Sequence, residues 1–247
     1  MNSCFVYLDS RLWQVYQENV YGNAPKFYSF KRALSDLRAR GAAGDASAAE
    51  LAASVQLVSF HSTSKGFIGE CGLRGGYFEL QNVDVDVRAQ LLKLMSINLC
   101  SNVIGQLATG LMVKPPVEGE PSYKAYAAER KAILDSLFSR AKRIAAALNK
   151  LPGIACNAAE GAMYLFPSIS LPEKAVHAAQ DAGMPADEFY CIKLLEATGL
   201  VVVPGSGFGQ VEGTFHFRTT FLPPEDAINE VLGKMAKFQK SFMKQYA

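Results

Sequence analysis

Strand-length apolar runs alternate with helix-length segments along the chain, and this alternation predicts an α/β fold in two layers. The predicted strands are residues 4–8, 55–60, 76–80, 154–156, 163–166, 200–203 and 214–221. The predicted helices are residues 30–40, 85–99, 123–150, 187–198 and 225–246. Ser29 is the expected N-cap of the first helix and Gly41 its expected end, with residues 41–49 as a flexible surface loop.

The clearest boundary lies in residues 114–121, which contain three prolines and two acidic residues. Such a segment is typical of a linker because proline interrupts both helices and strands. The long helix predicted directly after it has apolar residues at the helical period on one face. We therefore expect a first domain over residues 1–118, and the helix with a second domain over residues 119–247.

Composition excludes several classes of function. With 49% hydrophobic and 19% charged residues the chain is globular, and its net charge of +2 gives no field for nucleic acid or anionic lipid. No apolar run is long enough to span a bilayer. Five cysteines without a CxxC pair, none in ligand spacing with the three histidines, favour a reduced compartment without a metal site. No secretory signal is visible, so we expect a cytoplasmic location, with a mitochondrial one left open.

The most informative segment is residues 59–66, which read SFHSTSKG. An apolar strand leads into hydroxyl residues, Lys65 and a glycine, and Arg74 follows. A lysine at a strand end acts as a Schiff-base nucleophile when a nearby cation or desolvation lowers its pKa. Arg74 can supply that cation and can bind phosphate together with Ser62 and Ser64. Spacing alone leaves open the alternative of a solvated lysine in a Ser/Thr loop.

A second candidate site lies in residues 214–221, which read TFHFRTTF. Period-two alternation places the phenylalanines on one face of a strand and Arg218 on the other, polar face. A rigidly held arginine suits two-point binding of a carboxylate. The pattern leaves a surface ion pair as the alternative. His216, on the same polar face, is predicted to be a half-buried strand histidine.

The segment STSK of residues 62–65, with GLRGGY at residues 72–77, resembles the pyridoxal-phosphate segment of fold-type I aminotransferases. The longer strings SFHSTSKG and GECG at residues 69–72 are similar to the alanine aminotransferase family in particular. Further matching strings are YQENVY at 16–21, YCIKLL at 190–195 and VPGSGFGQ at 203–210. The resemblance covers the chain from about residue 15 to its end.

The resemblance implies a role for each matching residue. Lys65 corresponds to the lysine that forms the aldimine with pyridoxal 5'-phosphate, and Ser62, Ser64 and Arg74 correspond to phosphate ligands. Tyr16 matches a tyrosine that donates a hydrogen bond to the phenolic oxygen of the cofactor. Arg218 matches the arginine that binds the α-carboxylate of the substrate.

The resemblance also implies the fold and the reaction. We expect the C-terminal part of a fold-type I transferase, with a partial large-domain sheet and helices in residues 1–118 and an α+β small domain after the linking helix. The implied reaction is transamination between L-alanine and 2-oxoglutarate, which gives pyruvate and L-glutamate. The implied partners are small amino and 2-oxo acids and a second subunit in a homodimer.

Two departures from the family pattern support an alternative. The family's N-terminal half has no counterpart here, so apolar faces and strand edges are expected to be uncovered. Trp13 stands where the family has an aspartate that holds the pyridinium proton, and an indole cannot do so; the nearest acid is Asp9. Residues 1–14 are expected to be non-homologous. The alternative is a truncated, non-catalytic remnant or a binding partner of an intact aminotransferase subunit.

Overall fold

The computed structural model describes residues 15–22 and 26–247. The strand predicted at residues 4–8 lies outside the described residues, as do Asp9 and Trp13. The described residues form two compact units, one of residues 15–20 and 26–128 and one of residues 21–22 and 129–247.

The first unit combines a β-hairpin with helices. In chain order its elements are α1 (Phe30–Ala42), α2 (Ala46–Ser54), β1 (Leu57–Ser62), β2 (Gly76–Gln81), α3 (Val85–Met95), α4 (Val103–Val113) and the beginning of α5 (Tyr123–Leu148). Strands β1 and β2 pair antiparallel from Leu57 opposite Gln81 to Ser62 opposite Gly76. In this register Ser62 and Gly76 form the last pair of the hairpin, so the lysine that follows β1 lies in the loop that joins the two strands.

The helical pair α1 and α2 corrects the predicted surface loop. Ser29 caps α1 as expected, since its side chain accepts a hydrogen bond from the Arg32 N–H. Residues 46–49, predicted to be loop, instead form the first turn of α2, which Asp45 caps. Gly41 lies within α1, where a Cβ atom would come to 2.7 Å from the Ala49 Cα. The glycine therefore permits close helix packing and does not end the helix.

The remaining elements of this unit follow the predictions with shifts at their ends. The strand predicted at 55–60 begins two residues later, the strand at 76–80 is confirmed, and the helix at 85–99 is α3 followed by a short 3₁₀ turn. Helix α4 was not predicted. Apolar side chains of α3 and α4 are exposed, among them Leu92, Leu94, Leu107 and Leu111. None of the helices within the described ranges is both long and apolar enough to cross a membrane.

The second unit packs helices around short antiparallel strands. It contains the rest of α5, followed by β3 (Ile154–Ala155), β4 (Tyr164–Leu165), β5 (Ser168–Ile169), α6 (Glu173–Asp181), α7 (Ala186–Thr198), β6 (Val203–Pro204), β7 (Phe217–Thr220) and α8 (Ile228–Gln245). β7 lies between β4 and β6, and β3 pairs with β5. Helix α6 was not predicted, whereas the other helices were.

The core of the second unit explains why these elements form. The apolar face predicted for the long helix is buried from Leu137 to Leu148. The largest fully buried apolar side chains are Leu148, Tyr190, Leu194, Phe217, Phe221 and Ile228. Of the strand predicted at residues 214–221, only Phe217–Thr220 forms β7. Phe217 and Phe221 are buried as the alternation predicts, and Arg218 and His216 are half-buried, but so is Phe215, which was predicted on the core face.

Candidate functional site

Four of the predicted site residues lie in the segment that joins β1 to β2, residues 62–75, which we call the lysine loop. Thr63 closes this loop, since its backbone N–H and its hydroxyl both donate to the Gly75 carbonyl at 3.1 Å. The Glu70 N–H donates to the Thr63 carbonyl at 2.9 Å, and Thr63 is fully buried. Because Thr63 is fixed in this way, its neighbours Ser62, Ser64 and Lys65 have a defined backbone.

The first residues of α4 support the far side of the lysine loop. Asn102 caps α4 by accepting from the Ile104 N–H, and its side-chain amide donates to the Leu73 carbonyl at 2.9 Å. A Cβ at Gly75 would lie 2.4 Å from the Gly105 carbonyl oxygen, so the loop and the helix approach as closely as backbones allow. The loop is therefore held at both Thr63 and Leu73.

The turn at residues 15–18, which carries Tyr16, packs against the lysine loop. Gly66 has a φ of +72°, and a Cβ there would lie 2.7 Å from the Val15 carbonyl oxygen. A side chain at position 66 would thus be strained and would also collide with the turn. The structure brings the segment of Tyr16 next to the segment of Lys65.

Lys65 is exposed and lines a cavity of about 530 Å³. The walls include Glu18, His61 and Tyr77, together with apolar residues of α4 such as Leu111. All six predicted site residues belong to the described part of the chain, and of these only Lys65 lines the cavity. Ser62 and Ser64 contact each other beside it, because the Ser64 N–H donates to the Ser62 hydroxyl oxygen at 2.9 Å.

Arg74 adopts a backbone conformation that is rare for a residue with a side chain. Its φ is +54°, and its guanidinium donates to the Cys71 carbonyl at 2.9 Å. The side chain is exposed, and one such bond leaves most of its five N–H donors available. Strain of this kind is often found at functional sites, where the surrounding structure maintains it.

His61 also lines the cavity, at the end of β1. Its Nδ1 accepts a hydrogen bond from the Ser62 N–H at 2.9 Å, so the ring proton lies on Nε2 in the neutral form. Burial lowers the pKa of His61 below its ordinary value, and the negative charge of Glu18 opposes part of that shift. No sequence pattern points to His61, because its place in the cavity wall depends on how the chain folds around the lysine loop.

In the second unit, two aromatic rings contact Arg218. The guanidinium carbon lies 4.8 Å from the centre of the Tyr164 ring and 4.8 Å from the centre of the Phe208 ring. Both rings offer their electron-rich faces to the cation. No acidic side chain of the described residues forms a salt bridge with Arg218, so the predicted alternative of an ion pair is not found there. The guanidinium edge is thus available for an anion.

Comparison with solved structures identifies the fold. Alanine aminotransferase from Pyrococcus furiosus matches with a TM-score of 0.66 at 24% identity, over 92% of this chain and 48% of that chain. Aromatic aminotransferase from Pyrococcus horikoshii matches with a TM-score of 0.63 at 19% identity, over 95% of this chain and 51% of that one. The fold is therefore α/β and corresponds to part of a fold-type I aminotransferase, as predicted.

The chain belongs to the aminotransferase class I and II family, whose sequence profile matches residues 11–234. Probable alanine aminotransferase, mitochondrial, of Dictyostelium discoideum is 55% identical over 94% of this chain and 42% of that protein. Alanine aminotransferase 1 of Mus musculus is 47% identical over 95% of this chain and 45% of that protein. The chain thus spans less than half the length of these relatives. The cofactor of the family is pyridoxal phosphate.

Proposed function

We propose that this chain supplies the C-terminal part of a pyridoxal-phosphate-dependent alanine aminotransferase. Its reaction is the exchange of an amino group between L-alanine and 2-oxoglutarate, which gives pyruvate and L-glutamate. One observation carries the proposal: a loop closed at Thr63 carries both an exposed lysine, Lys65, that lines a cavity and an arginine, Arg74, at a strained backbone position. The identity to alanine aminotransferases supports the choice of substrates.

The residues of the lysine loop fit the chemistry of the cofactor. A phosphate group accepts hydrogen bonds from hydroxyl and guanidinium groups, and the loop offers both kinds of donor in Ser62, Ser64 and Arg74. Lys65 is exposed, so its amine can react with the aldehyde group of the cofactor. The cavity that it lines, about 530 Å³, is within the range of sites that bind small molecules. The phenol of Tyr16 would donate to the cofactor's phenolic oxygen. When bound, pyridoxal phosphate supplies the electron sink that allows a bond at the substrate Cα to break.

The chain's own residues would then perform two tasks. Arg218 binds the α-carboxylate of the amino acid through two parallel hydrogen bonds, while the rings of Tyr164 and Phe208 hold its guanidinium plane. Lys65 takes the proton from the substrate Cα and returns it later in the reaction as a general acid. The partners are therefore a small amino acid and a 2-oxo acid. We also propose a homodimer and a cytoplasmic location, with a mitochondrial one left open.

The test of this function is chemical trapping at Lys65. The 247-residue chain is incubated with pyridoxal phosphate, reduced with borohydride and digested, and each lysine is assayed by mass spectrometry. We expect selective labelling of Lys65 that is lost in Arg74→Ala and kept in Arg88→Ala, a control at an exposed arginine of α3. In a full-length version of the protein, Lys65→Ala should abolish turnover.

Scattered or absent labelling of the lysines would contradict a working cofactor site in this chain. It would favour the alternative, a non-catalytic remnant or a binding partner of an intact aminotransferase subunit. Turnover that survives Lys65→Ala in the full-length version would remove the assignment of this lysine altogether.

A further inference from the structure

A buried carboxylate in the second unit anchors the loop at residues 205–210. Asp187, in the first turn of α7, is only 1% exposed. Its Oδ2 accepts hydrogen bonds from the Ser206 N–H at 2.6 Å and from the Gln210 side-chain amide at 3.0 Å. A buried charge of this kind needs such donors, because without them its desolvation is costly. The loop is therefore attached to α7 at two points.

The bond to Asp187 fixes the orientation of the Gln210 amide. Since Nε2 donates to the carboxylate, Oε1 faces the Nδ1 of His216, 3.0 Å away. An amide oxygen only accepts, so His216 carries a proton on Nδ1. Gly205 makes room for this contact, because a Cβ there would lie 2.3 Å from the Gln210 Oε1. Gln210 thus links a carboxylate on α7 to the histidine that precedes β7.

Ring contacts continue from His216 to Arg218. The imidazole stacks on the Phe166 ring with centres 5.0 Å apart and planes 3° from parallel. Phe166 in turn contacts Phe208 edge-to-face at 5.7 Å, and Phe208 is one of the two rings on the guanidinium of Arg218. Phe166 and Phe208 are 43% and 48% exposed. Half-exposed rings have few packing neighbours to immobilise them, so the bonds that anchor the loop of Phe208, those of Gln210 among them, help to hold these rings in place.

We propose that Gln210 is a positioning residue for Arg218, acting through His216, Phe166 and Phe208. By bridging Asp187 and His216, it fixes the loop whose Phe208 holds the guanidinium plane. An arginine fixed in this way keeps its two-point donor geometry, whereas an unsupported one samples many rotamers. That this positioning strengthens the binding of a substrate carboxylate rests on the proposed function.

The positioning itself is measured by NMR on the isotopically labelled chain. Two rings over the guanidinium shift the Arg218 side-chain proton signals upfield through their ring currents. Gln210→Leu removes both hydrogen bonds at similar volume, so we expect these signals to move toward their positions in Phe208→Leu. The nitrogen shifts of His216 should also lose the signature of a single Nδ1–H tautomer. Gln245→Leu, at an exposed position at the end of α8, is the matched control and should change neither.

A second variant protects the test against misfolding. Gln210→Asn keeps the amide but is one methylene shorter, so it cannot reach Asp187 and His216 together and should shift the Arg218 signals in the same direction. The proposal is overturned if a folded Gln210 variant leaves the Arg218 signals in place while the His216 tautomer changes. It is equally overturned if Phe208→Leu does not move the Arg218 signals.

Titration with propionate separates this proposal from the proposed function. If Arg218 binds carboxylates, propionate shifts its Nε–H signal in the unaltered chain, and Gln210→Leu weakens that binding by about two- to tenfold. If propionate leaves the signal unchanged, the carboxylate role of Arg218 fails, while the ring-current shifts still decide whether Gln210 positions it. Equal affinity in the unaltered chain and in Gln210→Leu would contradict a contribution of Gln210 to binding.

Discussion

The phenol of Tyr190 donates a hydrogen bond of 2.6 Å to the side-chain oxygen of Gln239, and both residues are fully buried. The Gln239 amide donates in turn to the Pro152 carbonyl at 2.7 Å. Burial raises the pKa of Tyr190 above its ordinary value, which keeps the hydroxyl protonated as a donor. These hydrogen bonds link α7, α8 and the turn that follows α5 inside an aromatic core.

Tyr190→Phe should therefore destabilise the second unit. The change keeps the ring but leaves the Gln239 oxygen buried without its donor, which costs about 1–3 kcal/mol in the free energy of unfolding. Urea denaturation monitored by circular dichroism measures this difference. Tyr246→Phe is the control, since the Tyr246 hydroxyl makes no hydrogen bond within the described residues. Equal stabilities of the two variants would refute the assigned role of the buried bond.

Two helical glycines of the first unit should respond to alanine in opposite directions. Gly41→Ala places a Cβ 2.7 Å from the Ala49 backbone and should destabilise the unit by about 1–3 kcal/mol, because α1 and α2 must move apart. Gly110, in α4, has no atom within 4 Å of an added Cβ. Gly110→Ala should stabilise by about 0.5–1 kcal/mol through helix propensity alone. Thermal denaturation of both variants measures the two effects. A change of the melting temperature in the same direction for both variants would contradict the packing described for α1 and α2.

His61 should make the first unit sensitive to acid. Burial holds its pKa in the folded chain below the ordinary value of 6.5, so the unfolded chain binds more protons in the interval between the two values. The free energy of unfolding should then decrease as the pH falls through that interval. NMR titration of the His61 ring in the folded and the urea-unfolded chain measures the two midpoints directly.

His61→Asn is the matched variant for this acid sensitivity. An asparagine oxygen can still accept from the Ser62 N–H but does not titrate, so the decrease in stability below pH 6.5 should become smaller. An unchanged pH dependence in His61→Asn would show that other groups cause it.

Arg218→Lys tests the two-point geometry of the proposed carboxylate site. A lysine keeps the charge but loses the planar pair of donors, so the KM for the amino acid in a full-length version should rise by about 10- to 100-fold. Borohydride labelling of Lys65 should be unaffected. Arg143→Lys, at a half-buried arginine of α5 that donates to Asn229, serves as the control. A change in KM no larger than that of the control would argue against the role of Arg218.

Sequence periodicity predicted most helices and strands of the chain but missed three helical segments. The loop predicted at residues 41–49 overlaps the first turn of α2, because the small residues there give no amphipathic pattern and Gly41, which signals a helix end, instead allows α1 and α2 to pack closely. α4 is apolar on faces that are exposed, so its pattern does not separate an inner side from an outer side. Local sequence therefore predicts elements best where one face is buried within the same unit, as in α5.

Of the candidate site, the sequence could predict only the residues that stand in recognisable motifs. For Lys65 and Arg218 the strings imply a role only through the family resemblance, since spacing alone leaves a solvated lysine and a surface ion pair open. The closure of the lysine loop at Thr63 and the bond between Gln210 and Asp187 depend on how distant segments meet. Likewise, the Tyr164 ring lies against Arg218 across the paired strands β4 and β7. Such contacts arise from tertiary structure, which no local pattern encodes.

Arg218 is supported by aromatic faces, and within the described part of the chain no carboxylate neutralises it. Among the described residues its charge has no acidic partner, so an anion from solution can bind there. Chloride or sulfate in a buffer will occupy the same guanidinium edge that a carboxylate ligand needs, because these anions accept hydrogen bonds from the same donors. Affinities measured at this residue will therefore depend on the identity and concentration of the buffer anion, and they are comparable only between solutions matched in both.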